Sequence, residues 1–99
     1  MEPSWDGLID HLLQAPGCTS PATRGAVLRA AAGDEQLEPG QLASFVELVA
    51  DASYRITDAA VSDLVGARSE DGVFEVIIIA AAGAASARRA AALAALRDR

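Results

Sequence analysis

Few side chains in this chain could do chemistry: one cysteine, one histidine, one tyrosine, a glutamate set in an apolar run and one pair of adjacent arginines. Cys18 stands in APGCTS. A lone thiol excludes an internal disulfide and a cysteine-based metal cluster within one chain, and it reads as a loop thiol, with redox sensing or an intermolecular disulfide as the alternative. His11 lies in LIDHLLQ with no other ligand type at metal-binding spacing, so it reads as a residue bordering core or solvent. The residues call for no metal and no cofactor. Glu75 interrupts FEVIII, and two roles suit it. As a pocket carboxylate its pKa would be raised by burial; as a first-turn acid it would favour the helix dipole and pair with an arginine. Tyr54, where a helix ends, could send its hydroxyl into a cleft or pack its ring and bond a backbone carbonyl. Catalytic candidates are therefore Glu75 and Tyr54, and binding candidates are Glu75, Arg88 and Arg89.

The elements that would position these groups are helices. Trp5, Leu8, Ile9, Leu12 and Leu13 recur at the spacing of one helical face. Ser4 caps that helix, and Pro16-Gly17 stops it. Ser20-Pro21 opens a second helix that runs through GAVLRAAA to Gly33. Its weak apolar face places it against the outside of the core. After the connector GDEQLEPG, a third helix spans about Gln41 to Ser53 with Leu42, Phe45, Val46, Val49 and Ala52 on one side. Thr57 caps a fourth, carrying Val61, Leu64 and Val65, and Ser69 caps the last.

The stretch FEVIIIAAAGAASARRAAALAAL could be a strand, a membrane span or a helix. No period-two alternation supports a strand. The uncharged run from Val76 to Ala87 falls short of the roughly 20 residues that a span needs. One helix from about Glu70 to Arg97 remains, near 40 Å long at about 1.5 Å per residue. Its first half is apolar nearly all round, as in a helix buried on several sides. Phe74, Ile77, Ala80, Gly83, Ala84, Ala87 and Ala91 are the candidate interface, with small residues that admit a second helix closely. Glu75 and Arg88 lie about 20 Å apart along such a helix. They could pair only across an antiparallel contact between two copies; otherwise the arginines form a solvated basic patch.

Composition sets the outer limits. A chain of 99 residues reads as a single helical domain, with residues 1–36 as leader helices and 37–99 as the helical core. At that size a sufficient core is not assured, and self-association often completes it. A net charge of -6, with all eight basic residues arginine and dispersed, argues against a nucleic-acid backbone as partner. The acidic N-terminus does not resemble a signal peptide, and the expectation is a cytoplasmic protein.

Residues 54–96 carry a recognisable order: SYRITDAAVSDL, then SEDGVFE, then AAAGAASARRAAALAAL. The order resembles small proteins of the carboxymuconolactone decarboxylase and alkylhydroperoxidase D-like superfamily, and the N-terminal segment looks more loosely like their leader. The resemblance implies an all-α bundle of about five helices ending in a long alanine-rich helix, assembled as a dimer or trimer. Peroxidase members of that superfamily use two cysteines two residues apart followed by a histidine. In this chain Cys18 is followed by Thr19, Ser20 and Pro21, and His11 precedes it, so that chemistry does not carry over. A histidine that small members often place just before the tyrosine is also missing, with Ala52 in that region. Two expectations follow: a non-catalytic, self-associating scaffold or accessory subunit, or an enzyme or small-molecule binder with an intersubunit pocket using Glu75. A different protein docking on the helical face is a third.

Overall fold

The computed structural model describes residues 4–52 and 55–98, and they form five helices with no strand among them: α1 (Trp5–Gln14), α2 (Pro21–Ala31), α3 (Gln41–Asp51), α4 (Asp58–Ala67) and α5 (Glu70–Arg97). Tyr54, a catalytic candidate, lies outside the described residues. Each expected side-chain cap is in place. Ser4, Ser20, Thr57 and Ser69 accept the backbone N–H three residues on, from Gly7, Thr23, Ala60 and Gly72, at 3.0–3.1 Å. These bonds satisfy donors that a helix start leaves without partners. α2 closes with a paired turn in which Gly33 N–H bonds Ala30 O and Asp34 N–H bonds Arg29 O, the Schellman arrangement.

α5 is the axis of the bundle and touches all four other helices, α2 most extensively. Its buried residues Val73, Val76, Ile79, Ala80 and Ala84 meet Val27 and Ala31 of α2, Phe45, Val46 and Ala50 of α3, and Leu64 of α4. The core thus draws on the leader segment as well as on residues 37–99. α2 does not lie outside the core, as its weak apolar face suggested; Arg24, Gly25, Val27 and Ala31 are all buried. The physical reason is on the facing helix. A Cβ at Gly83 would run into the Leu28 carbonyl oxygen and crowd the Ala31 Cβ at 3.0 Å. Absence of that Cβ brings the two backbones together, so α2 is buried by this closeness as well as by Val27.

α1 is attached differently. None of its residues is buried, and it is pinned by Trp5, whose indole Nε1–H donates to Ser86 Oγ at 3.0 Å. Partly buried Leu12 packs on the core. By length and composition α5 would suffice to cross a membrane, with 28% of its most apolar 18-residue stretch buried within the fold.

Candidate functional site

Glu75 sits in the second turn of α5, opposite the loop between α1 and α2. Its carboxylate accepts three hydrogen bonds from that loop: Cys18 N–H to Oε2 at 2.7 Å, Thr19 N–H to Oε1 at 3.4 Å and Thr19 Oγ1–H to Oε1 at 3.1 Å. Cys18 and Thr19 immediately precede Ser20, the cap of α2, so the carboxylate lies at the positive end of that helix. Gly17 makes room for it; a Cβ there would collide with Glu75 Oε1.

Two opposing influences act on the Glu75 proton. Partial burial is the largest and pushes the pKa up, but the Cys18 and Thr19 donors together outweigh it and hold the carboxyl below the ordinary glutamate value. That direction is the reverse of the one expected for a pocket acid raised by burial, because hydrogen bonds to the charged form favour it. Among the described residues its partners are Cys18 and Thr19, and no arginine pairs with it. The same geometry disarms the thiol. Desolvation and then the adjacent Glu75 charge push the Cys18 pKa up, and a thiol with a raised pKa is a weak nucleophile at neutral pH. Cys18 is exposed and free.

Arg88 is equally occupied within the chain. Its Nη2 donates to Ala50 O at 2.8 Å, placing a cation at the C-terminal end of α3, where it satisfies an orphan carbonyl and favours the dipole. Glu75 and Arg88 thus each have a partner within one chain, the Cys18–Thr19 loop for the acid and Ala50 O for the cation. Arg89 is exposed. Of the interface candidates, Ala80, Gly83 and Ala84 are buried against α2 and α3, and Ile77 packs on the core. Ala87 borders a cleft, while Phe74 and Ala91 are exposed. The small-residue spacing is used for packing within the chain.

That cleft, of about 530 Å³, runs between α2, α3 and α5. Ala31, Val46, Ala50 and Ala84 floor it, and Glu35, Glu47, Asp51 and Arg88 stand at its rim. Arg29, nearby, pairs with Glu35 at 3.0 Å. Among the described residues no histidine, serine or cysteine lines the cleft, and its ionisable groups are the carboxylates of Glu35, Glu47 and Asp51 and the Arg88 guanidinium. Among the described residues there is no cluster of His, Cys, Asp or Glu able to hold a metal.

One residue that sequence reasoning passes over is Arg24. Only 5% of it is exposed, and its Nη1 donates to Leu12 O at 2.8 Å near the C-terminal end of α1. A signal for its position exists in the sequence: Arg24, Val27 and Ala31 recur at helical spacing on one stripe, and all three are buried. Beside it lies a small cavity of about 150 Å³, walled by α1 and α5. Comparison of the chain with family models, with curated proteins and with solved structures gave no match.

Proposed function

We propose that this chain is a non-catalytic helical module that self-associates through the outer side of α5, serving as a scaffold or accessory subunit of the kind its resemblance to the carboxymuconolactone decarboxylase and alkylhydroperoxidase D-like superfamily implies. The observation that carries this reading is a second apolar stripe on α5. Phe74, Ile78, Ala81, Ala85, Ala92 and Leu96 recur at helical spacing, on the side away from the buried residues Val76, Ile79 and Gly83. Phe74 is 63% exposed, Ile78 37% and Leu96 57%. A helix with apolar residues on both sides has a second partner to find, and large exposed side chains in a row mark contact surfaces.

A second copy is the occupant that the charge and size pattern favours. In an antiparallel pair, Phe74 and Ile78 of each copy would lie against Ala85 and Ala81 of the other, large beside small. The same register brings acidic Glu70 and Asp71 towards Arg89, which is exposed. Such a contact is isologous and closes as a dimer. Engagement of Glu75 with the Cys18–Thr19 loop, and the raised Cys18 pKa, speak against a catalytic role.

The solution mass of the purified chain, followed by light scattering over a range of concentrations, tests the proposal. A dimer is expected, and Phe74→Asp should convert it to a monomer with the helical signal unchanged, since Phe74 lies outside the core. A wild-type monomer at every concentration would overturn it.

A further inference from the structure

We infer that the small cavity between α1 and α5 is a binding site for a short aliphatic α-amino acid, with Arg24 holding its carboxylate and Glu75 its ammonium group. The starting point is an electrostatic imbalance around Arg24. A guanidinium offers five N–H donors, yet Arg24 is 95% buried and the one bond it makes among the described residues runs to the Leu12 carbonyl. Its Nε is buried with no partner among the described residues. The ion pair found among the described residues is Arg29–Glu35, so no carboxylate of those residues lies within the 4.0 Å pairing distance of Arg24. A buried charge in this state is costly unless something compensates it, and the cavity adjoining it is where a compensating group can enter.

The lining selects the ligand. Leu12, Pro16, Ile78 and Ile79 give apolar walls, His11 adds a polar ring at the α1 side, and Arg24 and Glu75 are the oppositely charged groups of the lining. A simple carboxylate attracted by Arg24 would also meet the Glu75 charge, and the two effects oppose each other. A zwitterion answers both. Glu75 retains acceptor capacity for it: a carboxylate has about four lone-pair sites, and the loop uses three. With both charges matched, the aliphatic side chain faces the isoleucines. The volume, about 150 Å³, lies well below the roughly 300–1,000 Å³ of pockets for drug-sized molecules and suits an amino acid of valine or leucine size.

This site is independent of self-association, and its test reads different signals. The full chain, labelled with nitrogen-15, is titrated with leucine, valine, isovalerate and isopentylamine while its amide resonances are followed. Saturable shifts with leucine or valine, centred on Cys18 and Thr19 and on the Ile78 and Ile79 amides, are expected. The two singly charged analogues should bind at least about tenfold more weakly, a factor worth about 1.4 kcal/mol. Arg24→Gln should remove leucine binding, and Arg24→Lys, which keeps the charge, should restore part of it; far-UV circular dichroism checks that both variants fold. No saturation by about 10 mM amino acid, a range that would still register millimolar affinity, would overturn the inference. So would isovalerate binding as well as leucine, or undiminished leucine binding by a folded Arg24→Gln chain.

Discussion

The two halves of α5 use the same residue for opposite purposes. From Gly72 to Ala84 the helix is threaded through the bundle, with Ala80 fully buried and Gly83 pressed on the α2 backbone. From Arg88 to Asp98 every residue is exposed. Ala80 and Ala84 in the first half are core residues, buried among α2 and α3. In the second half alanine keeps an unsupported helix helical, having the most favourable propensity and little side-chain entropy to lose. Composition alone therefore says little about burial; the neighbouring backbone decides what an alanine does.

Substitutions that differ in effect between the halves would sharpen or break this contrast. The largest expected effect is at Ile79, 2% exposed. Truncation of Ile79 to Ala should lower unfolding free energy by about 2–4 kcal/mol through lost burial and the cavity left behind, measured by urea denaturation. The same truncation at Leu96, 57% exposed, should stay within about 0.5 kcal/mol at concentrations where the chain is monomeric. Equal effects at the two sites would break the comparison.

Next in size is Gly83→Ala. Helix propensity alone would make it stabilising by about 1 kcal/mol. The added Cβ meets the Leu28 carbonyl oxygen and Ala31, and overpacking of about 1–3 kcal/mol should prevail. A lowered thermal midpoint is the expected sign, and a raised one would mean that α2 can yield.

A more modest effect belongs to Glu75, which tests whether α5 also organises the loop before α2. Glu75→Gln should cost about 1 kcal/mol near neutral pH, the scale of a charge-assisted hydrogen bond partly exposed to water. Its pH dependence has a definite sign. Because the folded state holds the Glu75 pKa below its ordinary value of 4.5, its contribution is complete above about that pH. It fades as pH falls through the lower, folded value. Denaturation curves of wild type and Glu75→Gln should therefore converge in acid; a gap that stays constant below about pH 4 would assign the effect to packing and not to charge.

Much of the fold is legible in the amino-acid sequence. Helix starts announce themselves through Ser4, Ser20, Thr57 and Ser69, since a side-chain oxygen three residues before an N–H is a local property. The bounds of α5 follow from its cap and the lack of breakers. Features that depend on distant backbone are hidden. The burial of α2 rests in part on a missing Cβ at Gly83, and no pattern within GAVLRAAA reveals it. Glu75 stands out as an acid in an apolar run, yet its partners are mostly backbone N–H groups of Cys18 and Thr19, which nearly every residue possesses and no side-chain pattern advertises. Arg24 is visible in the stripe it shares with Val27 and Ala31, but the weak amphipathicity of α2 masks it.

The bond between Trp5 and Ser86 joins positions 81 residues apart, and its meaning extends to the order of synthesis. During translation α1 emerges before the other four helices, but Ser86, the partner of its Trp5, is made only after α2, α3 and α4 are complete. Those helices, too, lack their common partner until residues 70–87 have left the ribosome. Contacts of α1 with α2 and of α2 with α3 can form before then, and the bundle closes when α5 arrives. Trp5 is the sole tryptophan, so its fluorescence would time the docking of α1 onto α5.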